Sequence, residues 1–269
     1  MRPTHYGMVC LATLWMGLGA GLVQRPAAAE LRPEANAAFE ERSRRREAEI
    51  QARIRAGGFL WVDLSPERAR RVRAGETVVE PRMEKGATEV KGGIVHDWIG
   101  AAFAPNTTLK RTLERVKNYD NHKNVYQPEV ADSRILSRSD GDHLRVYLRL
   151  VKKKVLTVVL NTEHDVRFFP LDAARVHSRS VSTRITEVDN PGEANERELP
   201  AGQDHGFLWR LNSYWRFQER DGGVYIECEA ISLTRGVPAG LGWLINPIVR
   251  DLPRESLANT IEATRRYVN

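Results

Sequence analysis

Apolar and polar residues alternate along much of residues 130–235, which predicts a run of antiparallel strands with one buried face. The clearest alternation spans residues 143–151, where four aliphatic residues share one face: Leu144, Val146, Leu148 and Leu150. Further strands are predicted at 155–169, 175–188, 206–220 and 223–235. Residues 189–204 contain two prolines and two glycines and are predicted to form a loop.

A hairpin is predicted where Asp221-Gly222 separates two of these strands, because this dipeptide is typical of a two-residue turn. The turn places Arg216 opposite Glu227, together with Phe217 opposite Ile226. We expect the charged pair on the outer face, where an exposed ion pair contributes only about 0–1 kcal/mol.

A second turn is predicted at Lys152-Lys153. It would place Leu148 opposite Thr157, with Val159 on the same apolar face. In this register apolar residues mostly face apolar residues, as a half-buried sheet requires.

The chain ends in a helical pattern over residues 253–268, with an apolar stripe formed by Leu257, Ile261, Thr264 and Val268. A single helix of about four turns is marginal in water and needs a surface to lie on. The alternating strands supply that surface. The sequence therefore predicts an α+β fold, in which a curved antiparallel sheet wraps around a long C-terminal helix.

An N-terminal helix with a highly charged surface is predicted at residues 33–56, ending at Gly57-Gly58. Four of its arginines cluster: Arg42, Arg44, Arg45 and Arg46. The cluster suits contact with anionic lipid, but we favour a solvated helix propped against the domain. The first main strand is predicted at 88–103, with a bend at Gly92-Gly93.

The first residues are predicted to be a signal peptide. Residues 9–23 are almost wholly apolar, and Ala27-Ala28-Ala29 follows as a small-residue cleavage site. The apolar run is shorter than the roughly 20 residues that span a bilayer, so we expect cleavage after Ala29 and a secreted or periplasmic location. The expected domains are a signal peptide at 1–29, an extension at 30–87 and a ligand-binding domain at 88–269.

Composition narrows the expected partners. The chain is 41% hydrophobic and 28% charged, with a formal charge of +6, which is an ordinary globular composition. With no nucleic-acid motif and no basic strip interleaved with aromatic residues, nucleic acid is not an expected partner. After cleavage Cys228 would be the remaining cysteine, so the mature chain would have no internal disulfide.

Three segments, with the order of the elements, carry a resemblance: Gly-Ile-Val-His-Asp-Trp at 93–98, Trp-Arg-Leu-Asn-Ser-Tyr-Trp at 209–215 and Pro-Arg-Glu-Ser-Leu at 253–257. Over residues 88–268 the chain resembles the START-like, polyketide-cyclase-like (SRPBCC) superfamily with its helix-grip fold. The resemblance implies an apolar cavity between sheet and last helix that holds a lipid, sterol, quinone or polyketide. Some members are cyclases or hydrolases, so an enzyme acting on a hydrophobic substrate in the same cavity is the alternative.

Such a cavity would be lined by apolar and aromatic side chains. The residues expected to line it or to lie near its mouth are Trp98, Tyr126, Leu148, Val159, Leu211, Trp215, Trp243, Leu257 and Ile261. Residues at these periods also pack as ordinary core. We expect a carrier of a hydrophobic small molecule. Its transient contact with a membrane surface would use residues 42–46, 152–154 and Trp243.

The sequence contains no catalytic or metal-binding spacing that stands out. It has no His-Glu-x-x-His, paired-cysteine or Gly-x-Ser-x-Gly pattern and no phosphate-cradling glycine loop, so no metal or cofactor is expected. If the protein is an enzyme, a polar residue must point into the cavity, where burial shifts its pKa. The candidates are Asp97, Glu163, Arg184 and Tyr214.

Overall fold

The computed structural model describes residues 29–153, 157–236 and 242–269, with the backbone alone for 242–250. The α-helices in this part of the chain are α1 Pro33–Arg55, α2 Pro66–Arg73, α3 Leu109–Val116, α4 His122–Val125 and α5 Gly242–Val268. The strands are β1 Val78–Pro81, β2 Ala87–Val90, β3 Gly93–Pro105, β4 Val130–Arg138, β5 His143–Lys153, β6 Thr157–Pro170, β7 Arg175–Asp189, β8 Arg197–Glu198, β9 Arg210–Arg220 and β10 Gly223–Thr234. Residues 1–28 of the predicted signal peptide, Lys154 and the Trp243 side chain lie outside the described residues.

One antiparallel sheet contains these strands in the order β1, β3, β10, β9, β7, β6, β5, β4, while β2 pairs with β3 and β8 pairs with β7. The β9–β10 hairpin has the predicted register, with Phe217 opposite Ile226 and Arg216 opposite Glu227. The sheet curves around α5. The predicted α+β helix-grip fold class is therefore confirmed.

The inner face of the sheet is the one that packs on α5. Leu257 and Ile261 pack in one apolar cluster with Trp98 of β3 and Cys228 of β10. Gly100 lies at the closest approach, since a Cβ atom there would stand 2.6 Å from Ile261 Cδ1. All four residues of the predicted stripe on the last helix are buried.

Over β3, β10 and β9 the outer face of the sheet is covered by an N-terminal segment, which we define as residues 30–74. Phe39 and Ile50 of α1 pack with Ile231 on β10, and residues 59–62 pack with Phe103 on β3. Strands β3 and β10 are therefore packed on both faces, with α5 on one side and the N-terminal segment on the other.

Arg216 and Glu227 were predicted to be exposed, and this prediction is wrong because the N-terminal segment covers them. Both side chains are fully buried, and Arg216 Nε donates to Glu227 Oε2 at 3.0 Å. Glu227 also accepts hydrogen bonds from the backbone N–H groups of Trp61 and Val62 at 2.9 and 2.7 Å. Alternation places the pair on the outer face correctly, but a segment more than 150 residues away in sequence removes that face from water.

The predicted register of β5 and β6 is wrong. Leu148 pairs with Thr162 instead of Thr157, a shift of five residues. An odd shift moves side chains to the opposite face, so Val159, which pairs with Val151, faces away from the inner face. The two strands continue past the predicted turn at Lys152-Lys153.

Two other predicted bounds also change. The strand predicted at 88–103 folds back on itself, since Val90 pairs with Gly93 and Gly92 adopts a φ of 91°, a left-handed conformation that glycine tolerates. Helix α5 begins at Gly242 and continues through Pro253. A helix can pass through a proline when it gives up one backbone hydrogen bond there.

Candidate ligand-binding cleft

One end of the inner face is filled. There α3 and the last turn of α5 lie on the sheet, and Leu109, Val116 and Val268 join one continuous apolar cluster. The strand residues of this cluster are fully or almost fully buried: Leu144, Val146, Val166, Phe168, Val176, Phe217, Val224 and Ile226. This end is ordinary core and leaves no room for a ligand.

Towards the other end, inner-face side chains keep exposed surface. Leu148 and Leu150 of β5, with Leu211 and Trp215 of β9, point to the same face as the filled core yet are only half-buried. We call the space over this half-buried part of the inner face the cleft. Its floor is apolar at β5 and β9. Burying the apolar surface of a ligand there would stabilise the complex by about 25 cal/mol per Å².

The predicted lining residues fall into three groups. Leu148, Leu211 and Trp215 lie in the floor of the cleft, and Trp215 stacks on Phe217 with ring centroids 5.9 Å apart. Trp98, Leu257 and Ile261 are buried together where α5 meets β3.

The remaining three predicted residues lie elsewhere. Tyr126 follows α4, and its hydroxyl is 3.0 Å from the Thr264 hydroxyl on α5. Val159 is on the outer face. Trp243 lies near the start of α5, with a side chain outside the described part of the chain.

A separate depression of about 160 Å³ lies between residues 126–129 and α5. Its lining is mostly polar and consists of Tyr126, Gln127, Pro128, Glu129, Asn259, Thr260, Glu262, Ala263 and Arg266. Several of these polar groups already bond to protein partners, since Glu129 accepts from both Lys152 and Asn259. This depression suits an apolar ligand poorly.

The four candidate acid–base residues lie on the outer face. Asp97 accepts from Arg42 Nε at 2.7 Å beneath α1, and the Tyr214 hydroxyl donates to Glu47 at 2.9 Å. Glu163 pairs with Arg145 at the surface, and Arg184 pairs with Glu198. They therefore do not converge in the cleft.

Polar residues do occur on the inner face, and none of them was predicted to line the cavity. They cross three adjacent strands next to the apolar floor: Thr162 and His164 on β6, Ser178, Ser180 and Ser182 on β7, and Ser213 on β9. Burial lowers the pKa of His164 to about 4, so its ring is neutral near pH 7. The alternating serines of residues 178–182 were the available signal, because alternation puts them on one face.

The basic cluster of α1 divides between two environments. Arg46 is 4% exposed and pairs with Glu229 at 2.5 Å and with Asp97 at 3.3 Å. Arg44 and Arg45 are on the solvent side, with 65% and 61% of their side chains exposed. Membrane contact through this helix stays a prediction, and it would depend on the two outward arginines.

Two kinds of feature are absent from the described residues. Across 29–153, 157–236 and 242–269, no three His, Cys, Asp or Glu side chains come together as a metal site would require. Among the same residues, no helix has the length and apolar character needed to cross a membrane.

No protein-family model matches the sequence, and a search of curated proteins finds no match. Solved structures with a similar backbone include TTHA0849 from Thermus thermophilus, at 14% identity over 63% of this chain and 94% of that one, with a TM-score of 0.45. A STAR-related lipid transfer protein fragment from Xanthomonas axonopodis is 16% identical over 68% and 98%, with a TM-score of 0.43. Human STARD10 is 13% identical over 76% and 80%, with a TM-score of 0.41.

The architecture itself defines the class: a curved antiparallel sheet closed over one long C-terminal helix is the START-like helix-grip fold. The predicted resemblance in fold is thus confirmed. At identities of 16% or less and TM-scores below 0.5, the three similarities say nothing about what this chain binds.

Proposed function

We propose that this protein binds and carries a hydrophobic small molecule in the cleft between the inner face of the sheet and α5. One observation carries the proposal: Leu148, Leu150 and Leu211 point inward from the sheet and yet remain half-buried. Inward-facing aliphatic residues that keep exposed surface favour burial by an apolar ligand. A lipid, a quinone or a polyketide-like molecule has the required character.

Carriage is favoured over catalysis by the placement of the ionisable groups. Asp97, Glu163 and Tyr214 already have protein partners on the outer face. The described floor of the cleft presents leucine, serine and neutral histidine, which bind and orient a ligand. A cyclase or hydrolase would instead need an acid and a base that converge on the substrate.

The binding experiment uses the chain from residue 30, purified with and without extraction into organic solvent. Native mass spectrometry of the unextracted protein should reveal a bound apolar molecule. The extracted protein should bind the fluorescent probe aminoanthracene, with a blue-shifted emission. Absence of both signals would overturn the proposed function.

Matched variants locate the site. Leu211→Arg places a charge on the floor of the cleft and should abolish probe binding. Leu136→Arg makes the same change on edge strand β4, where the side chain is already 40% exposed, and should bind like wild type. Thermal melting followed by circular dichroism checks that both variants are folded.

We also propose export, with residues 1–29 removed. The apolar run and the alanines at 27–29 support it. Expression of the full chain in a bacterial host, followed by fractionation and intact-mass measurement, tests the proposal. A periplasmic or secreted product that begins at residue 30 is expected, and a full-length product in the cytoplasm would contradict export.

A further inference from the structure

The polar residues of the inner face lie at a defined depth in the cleft. On β6 the order along the inner face is Leu160, Thr162, His164 and then Val166, which belongs to the filled core. His164 pairs with Ser182 of β7, and Ser180 pairs with Ser213 of β9. The polar lane, meaning Thr162, His164, Ser180, Ser182 and Ser213, therefore crosses β6, β7 and β9 next to the filled core, with Leu148 beside it on β5 and Leu211 beyond it on β9.

The hydrogen bonds of Thr162 fix the proton on the His164 ring. Thr162 Oγ1 donates to the Leu148 carbonyl at 3.0 Å and also lies 3.0 Å from His164 Nε2. A hydroxyl has one hydrogen, and the carbonyl can only accept it. Both hydrogen bonds can form at once only when Nε2 of His164 is the donor to Thr162.

The other ring nitrogen is then a bare acceptor. A neutral imidazole carries one N–H, and burial keeps the ring neutral because it lowers the pKa of His164 to about 4. The side chain is 4% exposed, and Nδ1 has no hydrogen-bond partner among the described residues. An acceptor nitrogen on the inner face that bonds no described residue can accept a hydrogen bond from a ligand in the cleft.

The inner-face residues at this level on β5, β6, β7 and β9 are uncharged: Val146, Leu148, Thr162, His164, Ser180, Ser182, Ile185, Leu211 and Ser213. The nearest inner-face carboxylate on these strands is Glu187, opposite Leu160, and it already accepts hydrogen bonds from the backbone N–H groups of His205 and Phe207. An ionised head group would lose its hydration without gaining a countercharge, which is strongly unfavourable. Ser180 and Ser213 offer neutral hydroxyls that both donate and accept.

We propose that the cleft selects an uncharged amphiphile whose head carries a hydroxyl, with that hydroxyl donating to Nδ1 of His164. The head lies innermost, against the filled core, and the apolar body lies over Leu148 and Leu211 towards the mouth. This inference rests on the proposed function, since it names the ligand class for the same cleft. The cleft should therefore bind alcohols and phenols more tightly than fatty acids. It should also bind them more tightly than quinones, because a quinone has hydrogen-bond acceptors but no donor.

The test compares four probes that share one alkyl chain: dodecanol, dodecyl methyl ether, dodecane and dodecanoate. Each displaces aminoanthracene from the extracted chain that begins at residue 30. Wild type should bind dodecanol about threefold to tenfold more tightly than the ether, the range expected for one neutral hydrogen bond. Dodecanoate should bind more weakly than dodecanol.

His164→Phe keeps an aromatic ring, removes the acceptor and leaves Thr162 bonded to the Leu148 carbonyl. It should bind the ether like wild type and lose the preference for dodecanol. His177→Phe is the matched control: His177 lies on β7 facing the outer side, where it stacks on Phe169, and this variant should keep the preference.

The outcomes separate the two proposals. Equal binding of dodecanol, ether and dodecane by wild type overturns the hydroxyl preference and leaves the carrier function standing. Tightest binding of dodecanoate, or an unchanged preference in His164→Phe, also overturns it. Failure of aminoanthracene and of every alkyl probe to bind overturns the carrier function as well.

Discussion

Arg216 and Glu227 form an ion pair of 3.0 Å between side chains that are both 0% exposed, on the sheet face that alternation assigns to solvent. The N-terminal segment makes this burial possible. It adds the backbone N–H groups of Trp61 and Val62 to the carboxylate, so that Glu227 has three donors. The pair thus ties the first part of the chain to the middle of the sheet.

Removing one partner of this pair should be costly. Glu227→Ala leaves the buried Arg216 guanidinium with only the longer 3.8 Å contact to Glu229, and it leaves two backbone donors without an acceptor. We expect a loss of about 3–5 kcal/mol in the free energy of unfolding, measured with urea. Glu163→Ala removes a partner of the largely exposed Arg145 and should cost about 0–1 kcal/mol. Equal losses in the two variants would contradict the burial of Arg216 and Glu227.

Two arginines of α1 should differ sharply although they are two residues apart. Arg46→Met removes the cation nearest to Glu229 and leaves only the longer contacts to Arg82 and Arg216. Asp97 keeps its pair with Arg42, so the free energy of unfolding should fall by about 1–3 kcal/mol. Arg44→Met alters an exposed pair and should change stability by less than about 0.5 kcal/mol. Urea unfolding of both variants measures the contrast. If Arg46→Met is as stable as Arg44→Met, Arg46 does not stabilise the packing of α1 on the outer face of the sheet.

Glu229 should give stability an unusual pH dependence. Burial, followed by the nearby Asp97 carboxylate, raises the pKa of Glu229 from 4.5 to about 7. The folded state therefore holds this proton more tightly than the unfolded state. The contribution of Glu229 to stability is fully present below pH 4.5 and is lost as the pH rises through about 7.

Two buried histidines act in the opposite sense. Burial lowers the pKa values of His122 and His164 to about 4, so their contributions to stability are present above pH 6.5 and are lost as the pH falls through 4.

The difference in unfolding free energy between wild type and Glu229→Gln isolates the effect of the Glu229 carboxyl group. Between pH 5 and 8 the unfolding free energy of wild type should fall relative to that of Glu229→Gln. A constant difference would contradict the raised pKa of Glu229.

Gly100 should be sensitive to a single added methyl group. A Cβ atom at this position would lie 2.6 Å from Ile261 Cδ1 and 2.9 Å from Val79 Cγ2, so Gly100→Ala must displace these side chains from a close-packed contact. Overpacking of this kind costs about 1–3 kcal/mol, which thermal or urea unfolding will measure. Gly141→Ala is the control, because no atom lies within 4 Å of its added Cβ. Stability equal to that control would rule out tight contact between α5 and β3.

Local patterns predicted much of the fold. The β9–β10 register follows from Asp221-Gly222, because a two-residue turn leaves the flanking strands one way to pair. The register of β5 and β6 cannot be predicted in this way. Several turn positions near Lys152-Lys153 keep the aliphatic residues of β5 on one face, so the pattern does not select one pairing. The actual pairing shifts by five residues and moves Val159 to the outer face.

The sequence likewise predicted only some residues of the candidate site. Leu148, Leu211 and Trp215 follow from alternation, which reports the face that a side chain occupies. His164 does not, because an isolated histidine in a strand gives no sign of its partners. Its bond to Thr162, and the bare Nδ1 that results, depend on atoms brought together in three dimensions.

By itself the sequence determined which residues share a face of each strand and that the last helix needs a sheet to lie on, since both follow from the periodicity of the backbone. Tertiary structure alone decided what covers each face. In the sequence the polar residues Asn212, Tyr214 and Arg216 look solvent-facing, but they lie beneath the N-terminal segment. Their buried polar groups form hydrogen bonds there with Ser43, Glu47 and Glu227, respectively. Burial of a polar side chain depends on partners distant in sequence, and periodicity carries no information about them.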